Sequence, residues 1–291
     1  MQVDVRGLTV RYGTITAVDD MSFSLSGNKI YGLLGRNGSG KTSLMSALAG
    51  YRRPVGSVLL DGAPVFENAR AMRNVCLVRH TTDAADKGDK VVHALEYGKA
   101  WRETWDDTYA RELVELFGLP LKTKVGELSL GQRSALGVTI GLASRSPLTM
   151  LDESHLGMDT PTRYAFYDAL LQDFMRHPRT IVISTYLIEE LASLLEEVLI
   201  IDNGRLVLQE EADVLRSRGT EVTGTADDVD AFTAGLTVLS EKSLGRTKSV
   251  MVYGTLDDAQ LVHARRLGLE LGPIALQDLF VHLTEPVGGL R

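Results

Sequence analysis

Residues 30 to 42 constrain the fold more than any other stretch of the chain. An apolar run, Ile30-Tyr31-Gly32-Leu33-Leu34, breaks at Gly35 and passes through Arg36-Asn37-Gly38-Ser39-Gly40. It ends in Lys41-Thr42 at the head of a helical pattern that continues to Ala49. This is the strand, Gly-x-x-x-x-Gly-Lys-Thr loop and helix of a P-loop. Gly35, Gly38 and Gly40 let the main chain curl so that the N–H groups of Asn37, Gly38, Ser39 and Gly40 point inward at a polyphosphate. The helix that follows adds the positive end of its dipole. In such a loop Lys41 bridges the β- and γ-phosphates of ATP and the Thr42 hydroxyl ligates Mg²⁺. A chance glycine-rich turn would leave the flanking strand and helix unexplained.

The chain of 291 residues, with 44% hydrophobic and 24% charged residues, has the balance of an ordinary soluble protein with room for a sizeable core. No apolar run reaches the roughly 18 residues of a membrane span, and Met1-Gln2-Val3-Asp4 begins no signal peptide. A cytoplasmic chain is therefore expected. The one cysteine, Cys76, lies in the apolar run Val75 to Val78, which predicts a small buried hydrophobe and excludes a disulfide framework. A net charge of -7 argues against nucleic acid as the main partner, and none is expected.

Three further motifs follow the P-loop. Leu128-Ser129-Leu130-Gly131-Gln132-Arg133 precedes an amphipathic helix running to about Ser144, and Ser129 is a natural helix N-cap. Leu148-Thr149-Met150-Leu151-Asp152-Glu153 is an apolar strand ending in paired carboxylates, suited to holding Mg²⁺ through Asp152 and activating water through Glu153. Thr180 to Thr185 is another buried strand, followed by Tyr186. Ahead of the P-loop, Val3 to Val10 and Met21 to Leu25 alternate as two antiparallel strands, with Tyr12 beside Gly13 between them. Asp61-Gly62 closes a hairpin over residues 56 to 66, and Asn203-Gly204 closes another. Between the phosphate loop and the second carboxylate motif, Val91 to Leu119 reads as helices, with Trp101 and Trp105 at helical spacing, expected in a core or at a subdomain seam.

Taken in order, these motifs resemble the nucleotide-binding subunits of ABC transporters, and most resemble actinobacterial drug- and antibiotic-exporter ATPases. The resemblance covers roughly residues 1 to 215. It implies an α/β P-loop NTPase with an antiparallel β subdomain and a helical subdomain at about 81–145. It also implies that Tyr12 stacks on adenine. Ser129, Gly131 and Gln132 belong to the signature that holds the γ-phosphate bound by the opposite subunit of a dimer. The expected partners are a polytopic membrane permease subunit and a second ATPase, in a homodimer or a heterodimer, which places the chain at the inner face of the cell membrane. The helical insert is where ABC subunits dock their membrane partner.

Several positions depart from the family pattern. Leu130 stands where the first signature glycine belongs, and a branched side chain there is expected to crowd the backbone and to need angles that glycine adopts more cheaply. His80 stands where a glutamine touches Mg²⁺ and the attacking water, and both a catalytic and a structural reading stay open for it. Tyr186 replaces the switch histidine; a phenol, with a reference pKa near 10, donates a hydrogen bond but does not exchange protons near pH 7. Ser154-His155-Leu156-Gly157-Met158-Asp159 keeps Gly157 and Asp159 but loses the usual Pro-Thr, and His155 is expected as a loop contact rather than a metal ligand. ATP hydrolysis is expected with slow turnover because of Tyr186, Leu130 and His80. The alternative is a hydrolysis-poor regulatory or non-transport ABC ATPase. From about Gly219 to residue 291 short strands and helices alternate, which predicts a small C-terminal ferredoxin-like α+β module.

Overall fold

The computed structural model describes residues 1–79 and 86–284. His80 lies outside them, so its predicted role has no structural counterpart. The chain falls into two compact units, Met1–Leu187 with Leu194–Gln209, and Ile188–Ser193 with Glu210–Arg291.

In the first unit, β1 (Gln2–Tyr12), β2 (Ile15–Ser26), β4 (Val55–Leu60) and β5 (Ala63–Pro64) form one sheet in the order β2-β1-β4-β5. β1 pairs antiparallel with both β2 and β4. Its alternation, reset by an irregularity between Val5 and Leu8, places Val3, Val5, Leu8 and Val10 in the core. The second sheet runs β10-β9-β3-β8-β7-β6 and comprises β3 (Ile30–Leu34), β6 (Val75–Arg79), β7 (Leu148–Asp152), β8 (Thr180–Thr185), β9 (Glu197–Asp202) and β10 (Arg205–Glu211). From β9 to β6 every pairing is parallel. β3, β7 and β8 are buried throughout, which is why they read as continuous apolar runs rather than alternating ones. The β9–β10 connection uses Asn203 and Gly204, both with positive φ (48° and 78°), the combination a two-residue type I′ hairpin needs.

The helices of this unit are α1 (Lys41–Leu48), α2 (Ala69–Met72), α3 (Val91–Ala100), α4 (Asp107–Leu116), α5 (Leu130–Ala143) and α6 (Thr160–Arg176). Asp106 caps α4 by accepting from the Tyr109 amide, and Asp159 caps α6 by accepting from that of Thr162. Leu44, Met45 and Leu48 of α1 meet the core residues of β1, β3 and β7 in one apolar cluster. Cys76 is buried, as its apolar neighbours predict. One of the two tryptophans departs from the expectation. Trp101 is 76% exposed. α3 ends at Ala100 and α4 begins at Asp107, so helical spacing does not relate Trp101 to Trp105. Trp105 instead packs on α3, where a Cβ at Gly98 would come within 2.9 Å of its ring.

The second unit contains α7 (Ile188–Leu191), α8 (Ala212–Ser217), β11 (Gly219–Thr225), α9 (Ala226–Thr233), β12 (Thr237–Leu244), β13 (Thr247–Tyr253), α10 (Asp258–Arg266), β14 (Glu270–Pro273) and α11 (Leu276–Thr284). The sheet order β12-β13-β11-β14, antiparallel throughout, is that of a ferredoxin-like βαββαβ module. Val222, Val250 and Val252 of the sheet pack with Val229 and Phe232 of α9 and Ala264 of α10.

Candidate functional site

The carboxyl ends of β3, β7 and β8 converge, as expected for ligand sites in open parallel sheets. At the end of β3 the chain turns through Gly38 (φ 81°) and Gly40 (φ 106°) into α1. Gly40 is the N-cap of that helix in the left-handed region, and a Cβ there would run into the Ala17 carbonyl oxygen, so glycine is required on both counts. A Cβ at Gly35 would likewise strike Ser39 Oγ. Asn37 and Gly38 are exposed at the loop tip, whereas Ser39 is buried. Among the described residues Ser39 Oγ finds no hydrogen-bond partner.

Lys41 is the first residue of α1 and only 4% exposed. Its ammonium donates to the carbonyls of Gly35 (2.7 Å) and Arg36 (3.1 Å) and lies 3.6 Å from Glu153 Oε1. Burial lowers its pKa, while the carboxylates of Glu153 and Asp152 pull the other way. Thr42 follows on the exposed side of the same turn.

Asp152 ends β7, fully buried. Its Oδ1 accepts from the Ser184 hydroxyl at 2.6 Å, whereas its Oδ2 is buried with no hydrogen-bond partner among the described residues. A carboxylate oxygen left bare in a buried position is costly unless a cation or donor completes it. The donor set therefore fits Mg²⁺, which takes one or two protein oxygens and completes its shell with water and phosphate. Among the described residues no three His, Cys, Asp or Glu side chains converge as a metal site. Glu153 adopts φ 47°, rare for a non-glycine residue, and its amide is held by both the carbonyl (3.2 Å) and the hydroxyl (2.9 Å) of Ser184. That left-handed step turns the Glu153 side chain out of the strand alternation and toward Lys41.

Ser184 thus organises both acids, and sequence reasoning missed it. The available signal was a hydroxyl within the buried run of β8, directly opposite Asp152 in the parallel register.

Ser129 caps α5 in a capping box. Its Oγ accepts from the Gln132 amide at 3.1 Å, and Gln132 Oε1 accepts from the Ser129 amide at 3.0 Å. An accepting hydroxyl still has its own proton to donate, so the cap leaves Ser129 able to bond a phosphate oxygen. The expectation that Leu130 needs glycine-like backbone angles is corrected. It is the first residue of α5 and needs no positive φ. Its side chain, 44% exposed, lies against Gly157, where a Cβ would come within 2.8 Å of Leu130 Cβ. Gly131 is the position without room, since a Cβ there would collide with the Gly157 carbonyl oxygen.

Tyr12 ends β1, 38% exposed, with the Arg52 guanidinium 4.1 Å from its ring centroid. Tyr186, just past β8, is 45% exposed, and its ring lies 5.5 Å from that of His155, which is 2% exposed. Further along the sheet a cleft of about 410 Å³ is lined by Tyr51, Arg79, Tyr97 and Trp101. From it Arg79 reaches Ser46 Oγ (3.1 Å), which in turn donates to the Thr42 carbonyl (2.6 Å).

The phosphate loop, the acid pair at the end of β7 and the capped helix α5 define a P-loop ATPase of the ABC class. A family model described as ABC transporter matches residues 18–155. The doxorubicin resistance ATP-binding protein DrrA of Mycobacterium tuberculosis is 30% identical over 251 residues, covering 81% of this chain and 75% of that protein. The Nod factor export ATP-binding protein I of Burkholderia lata is 29% identical over 303 residues, covering 97% and 96%. Among solved structures, an ATP-binding subunit of an ABC transporter superposes with a TM-score of 0.66 at 19% identity, over 74% of this chain and 92% of that one. A bacterial Atm1-family ABC exporter with ATP bound gives 0.62 at 20% identity, over 74% and 40%. The chain belongs to the ABC transporter family as an ATP-binding subunit, and ATP hydrolysis coupled to transport is the general activity of that family.

Proposed function

We propose that the chain binds Mg-ATP on its P-loop and drives export through a separate polytopic membrane permease. Two ATPase subunits, in a homodimer or with a homologue, would close over two nucleotides between P-loop and signature. The names of the relatives and the exposed aromatic cleft beside the helical subdomain support this reading. It places the chain at the inner face of the cell membrane. Among the described residues no helix is long and apolar enough to cross a membrane. Residues 1–215 form the ATP-binding domain in this proposal, and 219–291 a C-terminal module.

The observation that carries the proposal is the buried Asp152 Oδ2, without a hydrogen-bond partner among the described residues, next in sequence to the Glu153 carboxylate that lies 3.6 Å from the Lys41 ammonium. The amides of residues 37–40 receive the phosphates, and the ammonium of Lys41 exchanges its loop carbonyls for phosphate oxygens. Thr42 and Asp152 would hold Mg²⁺, which supplies charge neutralisation on the phosphates when bound. Glu153 orients and deprotonates the attacking water. Tyr186 donates to the γ-phosphate from the end of β8, and Tyr12 stacks on adenine with the face not covered by Arg52. Ser129, Gly131 and Gln132 meet the nucleotide of the opposite subunit. Turnover is slow because a phenol replaces the switch imidazole.

The test is steady-state ATP hydrolysis with Glu153→Gln as control, together with copurification of a polytopic membrane protein. Activity lost in Glu153→Gln, with ATP binding retained, supports the assignment. Activity unchanged by that substitution contradicts it.

A further inference from the structure

The loop that follows the acid pair carries a buried histidine for which ATP binding and hydrolysis, as described, have no use. His155 is 2% exposed, and the ring it packs against, Tyr186, is 45% exposed. The centroids are 5.5 Å apart with the planes tilted by 58°, within the range of favourable aromatic pairs. The two rings come from different strand ends that are tied together. The Glu153 amide bonds to both oxygens of Ser184, two residues before Tyr186. His155 itself is held in the turn 153–158, where the Leu156 amide donates to the Glu153 carbonyl and the Met158 amide to the His155 carbonyl. The same turn carries Gly157, against which Leu130 of the signature helix lies.

We propose that His155 is a positioning residue for Tyr186. Its buried imidazole is the fixed half of the pair and holds the exposed phenol at the end of β8, where a donor to the γ-phosphate is needed. The contact also ties the phenol to the turn that the signature helix touches, so a shift of that turn moves the donor. This rests on the reading of Tyr186 as that donor.

The test is a double-mutant cycle on ATP hydrolysis by the full chain, with folding checked by circular dichroism and ATP affinity measured for each variant. His155→Leu keeps a buried apolar side chain but removes the ring, and His155→Phe keeps a ring. The expected result is a fall in kcat of roughly three- to tenfold for His155→Leu, the size of one aromatic pair. ATP affinity should stay unchanged, His155→Phe should keep most of the activity, and His155→Leu should have no further effect in a Tyr186→Ala background. An equal fall in both backgrounds, or a His155→Phe protein as impaired as His155→Leu, overturns the proposal while leaving Tyr186 in its role. A Tyr186→Ala protein with undiminished kcat removes the donor assignment and overturns the proposal with it.

Discussion

Replacing Ser184 with alanine tests the electrostatic design of the acid pair. Its hydroxyl gives Asp152 Oδ1 the hydrogen bond at 2.6 Å, in a position where the carboxylate is fully buried. Removing a donor from a buried charged acceptor costs about 1.5–3 kcal/mol, against about 0.5–1.5 for a neutral one. The second bond lost, from the Glu153 amide, is partly covered because that amide also reaches the Ser184 carbonyl at 3.2 Å. The total is therefore about 2 kcal/mol. At about 2–4 °C per kcal/mol for a unit of 150–250 residues, the midpoint should fall by about 4–8 °C. The assay is thermal and urea unfolding of Ser184→Ala, Asp152→Asn and the double variant, following the transition that ATP shifts upward. In the Asp152→Asn background the acceptor is neutral, and Ser184→Ala should cost about 1 kcal/mol less. An equal penalty in both backgrounds, or one below about 0.5 kcal/mol in the parent, would refute the argument.

Three other substitutions give distinct outcomes. Gly131→Ala drives a Cβ into the Gly157 carbonyl oxygen, so urea unfolding should show a loss of about 1–3 kcal/mol despite the better helix former. Asp173 pairs with Arg179 at 2.7 Å and Arg145 at 3.4 Å while itself buried, and Asp173→Asn should lower stability by about 3–5 kcal/mol in the same measurement. On the proposed role of Tyr186, Tyr186→His places an imidazole just after β8 and should raise steady-state ATP hydrolysis; an unchanged rate contradicts the reading that the phenol slows turnover.

Local signals made the nucleotide loop, the acid-tipped strand and the two Gly-containing hairpins legible in the amino-acid sequence. A left-handed turn favours glycine, asparagine or aspartate, a buried parallel strand needs an unbroken apolar run, and both leave marks within about ten residues. The strand and helix alternation of residues 219–284 was legible for the same reason, and its sheet order agrees with a ferredoxin-like module. Contacts between distant segments left no such mark. Ser184 looks like one more small residue until the parallel register sets it opposite Asp152. His155 looks like a loop residue until its ring meets that of Tyr186, thirty-one positions on. Leu130 suggested unusual backbone angles because the family has glycine there, but a helix's first residue needs only ordinary ones. Trp101 suggested a core or a subdomain seam because helical spacing was assumed across a break that begins at that residue.

In the proposed function a buried ammonium and a half-bare carboxylate are completed by Mg-ATP. Equilibrium binding of ATP to the purified chain, with and without Mg²⁺, in the parent, Lys41→Ala and Asp152→Asn proteins, addresses it most directly. Mg²⁺ should strengthen binding in the parent, Lys41→Ala should lose affinity, and Asp152→Asn should lose the Mg²⁺ dependence. ATP binding that is indifferent to Mg²⁺ in the parent, or untouched by either substitution, would contradict it.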